Sequence, residues 1–319
     1  MSDRPFLEFE RPIFELEQKI SDMKDFAVGE NIELSGEIVS LEKKLEKLRE
    51  KTYSNLTRWQ KVQLSRHPKR PYTLDYIKLM TTGFIELHGD RFFADDKAMV
   101  GGFAWLDDEP VMIVGQQKGR DTKQKVIRNF GMAHPEGYRK ALRLFQLAEK
   151  FQVPIVVLVD TPGAFPGIGA EERGQAEAIA YNIREMSRLR VPIVVVIIGE
   201  GASGGALGVG VGDRIMILEY AWYSVISPEG CAAILWRDAA KAPEAAEALR
   251  PTSDDLIKLK IVDSIIPEPS RGAHCDPEAA AKLVKKAIQE TLQELSLKST
   301  DELLLDRLKK YRHIGVFQD

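Results

Sequence analysis

Two stretches that read almost alike decide the fold: VPIVVLV (Val153–Val159) running into DTPGAFPG (Asp160–Gly167), and VPIVVVI (Val191–Ile197) running into GEGASGGA (Gly199–Ala206). Each begins as an unbroken aliphatic run and ends in a glycine-rich turn. A strand without polar alternation is buried on both faces, as in a parallel sheet covered by helices. The near-repetition points to a β–β–α or β–α unit used more than once.

Working outward, Met99–Leu106 and Pro110–Gln117 read as strands joined tightly at Asp107–Glu109. A helix opens at Pro135-Glu136 and runs through Arg139, Leu142, Leu144, Leu147 and Ala148. Another spans about Glu171 to Leu189, a short Gly/Ala/Val-rich helix follows the second glycine turn, and Arg214–Leu218 is a further strand. Residues 67–250 are therefore expected to form an α/β core. Residues 1–66 carry helical periodicity: Leu16, Ile20 and Met23, then Leu34, Ile38, Leu41, Leu45 and Leu48, with a break at Val28–Asn31. This pattern predicts a hairpin-like helical extension, either packed on its own core or serving assembly. Residues 251–319 read as helical. Asp276-Pro277 starts one helix, with Leu283, Ile288 and Leu292; Thr300-Asp301 caps another, with Leu304, Leu308 and Tyr311 on one face.

The 319 residues are 44% hydrophobic and 29% charged with net charge −3, a soluble globular profile with no global attraction to nucleic acid. Two cysteines, Cys231 and Cys275, without CxxC, and five scattered histidines give no zinc spacing, so no metal is expected in this chain. Sparse cysteine suits a reducing cytosol. MSDRPFLEFERP lacks the form of a signal peptide, and no apolar run reaches the roughly 18 residues of a membrane span. A cytoplasmic protein is expected.

The second glycine cluster fits three motifs. As GxGxxG it is Gly199, Gly201 and Gly204, with Glu219 placed as a ribose acid: a dinucleotide-binding oxidoreductase. As GxSxG it is Gly201, Ser203 and Gly205, a nucleophile elbow that needs a histidine such as His134, His274 or His313. As an oxyanion hole it uses the main-chain amides of Gly204, Gly205 and Ala206 where a strand gives way to a helix, and needs neither cofactor nor histidine. The loop Asp160–Gly167 strengthens the third reading. Its prolines and glycines stiffen it and expose amides, and Phe165 offers an apolar wall to a flat ligand. Asp160 reads as a structural residue capping the turn rather than as a base.

These motifs, with RPYTLDYI (70–77), HGDRFFADD (88–96), GQQKGRDTK (115–123), NFGMAHPEGYRKALRL (129–144) and SVISPEGCAAILWRD (224–238), resemble the carboxyltransferase members of the crotonase superfamily. The resemblance is nearest to the alpha-subunit family of bacterial acetyl-CoA carboxylase carboxyltransferases and spans roughly residues 70–270. It implies an α/β crotonase-like spiral of β–β–α units with a helical N-terminal extension and C-terminal helices. It implies transfer of a carboxyl group from carboxybiotin to acetyl-CoA, giving malonyl-CoA for fatty acid biosynthesis. The implied partners are a beta subunit that carries the zinc (an α2β2 assembly), the biotin carboxyl carrier protein, and a separate biotin carboxylase that uses ATP. By motif, Gly204, Gly205 and Ala206 are the oxyanion hole, and Gly163, Ala164, Phe165, Pro166 and Gly167 lie beside carboxybiotin. No side-chain acid–base pair is required.

The basic run from Lys118 to Lys125 is read as a loop in which Lys118, Arg120 and Lys123 meet CoA phosphates, or else as a solvated loop or partner contact. Nucleic-acid binding is a secondary reading of the same run, because basic patches attach to phosphate chains generally. A non-catalytic scaffold whose helices recruit partners stays open as another class of function.

Overall fold

Burial on both faces is what the two aliphatic runs show: every residue of Ile155–Thr161 and of Ile193–Ala202 is buried. The structure is a computed structural model that describes residues 6–30 and 35–315. In chain order it begins with helices α1 (Arg11–Glu30), α2 (Ser35–Tyr53), α3 (Arg58–Ser65) and α4 (Thr73–Met80), then strands β1 (Thr82–Glu86), β2 (Met99–Leu106) and β3 (Glu109–Gln116). There follow α5 (Thr122–Ile127), α6 (Pro135–Lys150), β4 (Ile155–Thr161), α7 (Ile168–Glu172), α8 (Gln175–Met186), β5 (Ile193–Ala202) and α9 (Ser203–Leu207). The chain continues through β6 (Arg214–Leu218), β7 (Trp222–Ser224), α10 (Pro228–Trp236), α11 (Ala242–Leu249), α12 (Ser253–Lys258), β8 (Ser264–Ile266), α13 (Pro277–Ser296) and α14 (Thr300–Arg312).

One sheet joins the strands in the order β1-β2-β3-β4-β5-β6-β8, with β7 on the end of β5. The β1–β2 and β2–β3 pairs are antiparallel, whereas β3 through β8 run parallel. The β2–β3 hairpin closes with Leu106 opposite Glu109, and Asp107 adopts the left-handed φ of 56° that tight hairpins demand. Parallel pairing needs crossovers, and helices supply them: α5 and α6 lead from β3 to β4, α7 and α8 from β4 to β5. The core follows from this winding, with β4 and β5 at its centre and α6 contributing Tyr138, Ala141, Leu144, Phe145 and Ala148. Pro135 at the start of α6 loses no helix bond, since the first amides have no acceptor there.

Several expectations shift. β5 continues through Ala202, so Gly199, Glu200 and Gly201 are strand residues rather than loop. The helix foreseen from Glu171 to Leu189 is interrupted at Gly174, which takes φ 81°, and so becomes α7 and α8. In α14 the buried face is Leu303 and Arg307; Leu308 is exposed, because a clamped arginine occupies the inward position. The C-terminal region also supplies β8 to the sheet.

In the extension, α1 and α2 pair through Ile13, Leu16, Ile20, Ile38, Leu41, Leu45 and Leu48, a cluster separate from the main core. Ion pairs Lys24–Glu42 (2.6 Å) and Arg49–Glu17 (2.7 Å) set an antiparallel register. Met23 leaves the expected stripe and lines an outward groove with Phe14 and Phe26. The helix α1 reaches Glu30, so the break does not begin at Val28; Asn31 and Leu34 lie outside the described residues. The helix α3 packs on the body instead, with Val62 against Ala202 and Trp222.

Candidate active site

The winding brings the two glycine loops into contact. β4 and β5 lie side by side and parallel, so the turns that follow both emerge at the same edge of the sheet. They approach closely at Gly205, where any side-chain carbon would collide with Gly163 and the Ala164 amide. Glycine is obligatory there for want of space. The helix α9 starts directly at the end of β5, and Ser203 makes the change of direction at φ 56°. The first-turn amides, Gly204 and Gly205 among them, have no intrahelical acceptor. Ser203 is exposed, Gly204 half-buried, and Gly205 and Ala206 are buried. Ser203, Gly204, Leu207, Tyr223, Val225 and Leu256 line a largely apolar cavity of ≈370 Å³.

The first loop is stitched down along its length. The Thr161 hydroxyl donates to the Gly163 carbonyl at 2.7 Å and accepts the Gly163 amide at 3.1 Å. The Phe165 amide donates to the Ala133 carbonyl at 3.0 Å, and its ring lies 4.1 Å from that of His134. Gln175 from α8 donates to the carbonyls of Ala133 (2.8 Å) and Phe165 (3.0 Å). Gly167 tucks beneath the Phe165 ring and leads into α7, while Pro166 is exposed and Ala164 half-buried.

Beneath both loops lies a buried charge network. The Lys118 ammonium sits 2.7 Å from Asp160 and 2.5 Å from Glu200, and Glu200 also takes Arg66 at 2.6 Å. Asp160 accepts the Glu200 amide at 3.0 Å, tying the end of β4 to β5. Asp160 therefore bridges the two strands instead of capping the turn. Burial opposes both charges, yet Asp160 and Glu200 hold the Lys118 ammonium above its ordinary pKa, and Lys118 with Arg66 holds Glu200 below its own. Lys118 is thus committed inward. Arg120 pairs with Asp75 and lies 4.6 Å over the Tyr72 ring, and Lys123 is exposed on α5.

The rival motifs lose their geometry. Gly199 and Gly201 serve packing inside β5, where added carbons would strike the Asp160 carboxylate and the Tyr223 ring. A phosphate loop needs them after the strand. Ser203 does stand on a strained strand-to-helix turn, but the histidines lie against other groups. His134 faces Phe165, the His274 ring lies tilted against that of His67 at 3.9 Å, His88 lies 3.4 Å from Asp95, and His313 contacts the Lys309 carbonyl. Two residues at the junction, Gln116 and Tyr138, were not singled out in the sequence, although both lie within stretches that carry the resemblance (115–123 and 129–144). Both hydrogen-bond to the Gly205 carbonyl.

The fold is a mixed α/β sheet, parallel from β3 onward, that presents two glycine loops at one edge, the architecture of the crotonase-like carboxyltransferases. The chain belongs to the acetyl co-enzyme A carboxylase carboxyltransferase-like family, whose model matches residues 6–315. It is 59% identical over 319 residues to the acetyl-coenzyme A carboxylase carboxyl transferase subunit alpha of Geobacter metallireducens, covering 100% of both chains. To the subunit of the same name from Thermus thermophilus it is 57% identical, covering 98% of this chain and 99% of that one. Among solved structures, a Pseudomonas malonate decarboxylase hetero-tetramer in complex with coenzyme A superposes with TM-score 0.59 at 18% identity, over 74% of this chain and 91% of that chain. The transcarboxylase 12S hexamer with methylmalonyl-coenzyme A gives TM-score 0.52 at 22% identity, over 66% and 40%. At these identities the structures speak to fold. No helix among the described residues is long and apolar enough to cross a membrane.

Proposed function

We propose that this chain is the carboxybiotin-handling half of an acetyl-CoA carboxyltransferase, acting with a beta subunit in the cytoplasm to form malonyl-CoA. The observation that carries the reading is the contact of Gly205 with Gly163, which makes one site of the two loops. The half-buried Phe165 and the apolar cavity beside Gly204 fit a flat, mainly apolar group. Carboxybiotin, brought by its carrier protein from an ATP-using biotin carboxylase, supplies the carboxyl group. To the amides of Gly204, Gly205 and Ala206 we assign the stabilisation of negative charge on the oxygen held between the loops. Gly163, Ala164, Phe165, Pro166 and Gly167 form the wall that orients the flat group and limits water. Arg120 and Lys123 stand at the surface for CoA phosphates, while Lys118 supports the loops from within. The beta subunit, in an α2β2 arrangement, contributes the other half of the thioester site.

The test is the reverse reaction, malonyl-CoA with a biotin derivative. We expect no turnover from this chain alone and turnover when it is co-purified with the beta subunit. Gly205→Val, assembled with that partner, is expected to lose about 10²–10³ in kcat, the worth of an oxyanion donor set pushed out of place. Full turnover by the chain alone overturns the division of labour. Full turnover by an assembled Gly205→Val enzyme overturns the site.

A further inference from the structure

Gln116, the last residue of β3, is fully buried. Its side-chain amide is engaged at both ends. The oxygen accepts the Asp160 amide N–H at 3.1 Å, where the first loop departs from β4. The nitrogen donates to the Gly205 carbonyl at 3.1 Å, in the second loop. The hydroxyl of Tyr138, also buried, reaches the same carbonyl from α6 at 3.3 Å. The backbone of Gln116 is itself fixed, since the Thr73 hydroxyl donates to its carbonyl at 2.5 Å.

A helix of five residues such as α9 is too short to hold its own shape, and its last carbonyls have no partner within it. The Gly205 carbonyl is one of these, and Gln116 and Tyr138 supply what the helix cannot. A peptide unit is planar and trans, so a carbonyl held in this way directs the Ala206 N–H the opposite way. One buried amide therefore sets both the spacing of the two loops and the direction of a peptide between them.

We propose that Gln116 is the positioning residue of the carboxyl-transfer site, with Tyr138 as its second support. The proposal rests on the reading of the two loops as that site. Neither side chain touches the reacting atoms; each acts through the Gly205 peptide. Misplacement by about 1 Å costs up to about 100-fold in rate. Gln116→Leu keeps the bulk and removes both hydrogen bonds, whereas Tyr138→Phe removes one.

Both variants are to be co-purified with the beta subunit and assayed in the reverse direction, with kcat and KM for malonyl-CoA measured separately. We expect Gln116→Leu to lower kcat about 10- to 100-fold and Tyr138→Phe about 3- to 10-fold, with KM changed less than about twofold. A general loss of structure would lower the amount of assembled enzyme without this split. If Gln116→Leu does not assemble, Tyr138→Phe decides alone. Assembled variants that keep wild-type kcat overturn the positioning role. In that event an inactive Gly205→Val leaves the loop site standing, and an active one removes it as well.

Discussion

At His274 burial and charge act in the same direction. Its ring lies tilted against that of His67, its Nε2 lies 3.4 Å from the Cys275 sulfur, and its Nδ1 is buried with no hydrogen-bond partner among the described residues. Burial first, then His67 and the cations Arg70, Arg271 and Lys69, push its pKa down to about 3. In the unfolded chain a histidine titrates near ~6.5. Below that pH the unfolded state binds a proton that the folded state refuses, so stability falls as pH drops from about 6.5 toward 3. Above it His274 is neutral in both states and contributes no slope. We expect the urea midpoint to decline from pH 7 to pH 5, and His274→Gln to flatten that decline. Identical slopes for the two proteins would refute the assignment.

Among the elements, α14 shows how a polar side chain can hold a helix on a core. Arg307 is buried, with Nε and Nη2 each 2.8 Å from the Asp213 carboxylate. Its remaining donors go to the carbonyls of Met186 (2.9 Å), Leu189 (2.7 Å) and Val191 (3.1 Å), where α8 ends and the chain turns toward β5. Asp213 in turn accepts the Ile193 amide at 2.7 Å, so α14 is tied to the first residue of β5. Removing one partner of a buried pair leaves the other charge stranded, at about 3–5 kcal/mol. Arg307→Met is expected to lower the unfolding free energy by that amount in denaturant titration, and a loss below about 1 kcal/mol would contradict the clamp.

The same helix shows what sequence can and cannot reveal. Periodicity places α14 correctly and puts Tyr311, which packs on the core, on the right face, but it counts Leu308 as inward too, because a pattern of leucines does not disclose that an arginine will be buried. β4 and β5 were legible because their runs bury both faces, whereas the end of β5 was not. Glycines at Gly199 and Gly201 look like a loop until Asp160 and Tyr223 are seen packed against them. The short β7 and β8 form by pairing with β5 and β6, strands not adjacent in sequence, which no local signal announces. At the site, both loops stood out through composition. Gln116 and Tyr138 became visible only when the fold carried them to the Gly205 carbonyl, and Lys118 proved to face inward only when Asp160 and Glu200 were found around it.

At the scale of the whole molecule, the α1–α2 hairpin stands apart from the spiral. Its apolar residues bury against one another in a cluster of their own. Its ties to the body include the Arg271–Glu17 pair at 2.7 Å and the tilted Tyr53–Tyr220 ring contact at 6.2 Å. By contrast α3 belongs to the body, where Val62 packs on Trp222 and Arg58 meets Asp255 at 2.7 Å. We therefore expect the cooperative unit that carries the site to begin near Ser54. An ion pair whose side chains are each only about a quarter exposed and one aromatic contact are together worth about 1–2 kcal/mol. Removing residues 1–53 should then lower the melting temperature by about 2–8 °C while leaving a single sharp transition. Differential scanning calorimetry of the shortened chain checks this directly. A broad or absent transition would mean that the hairpin is part of the core, and that the two clusters fold as one.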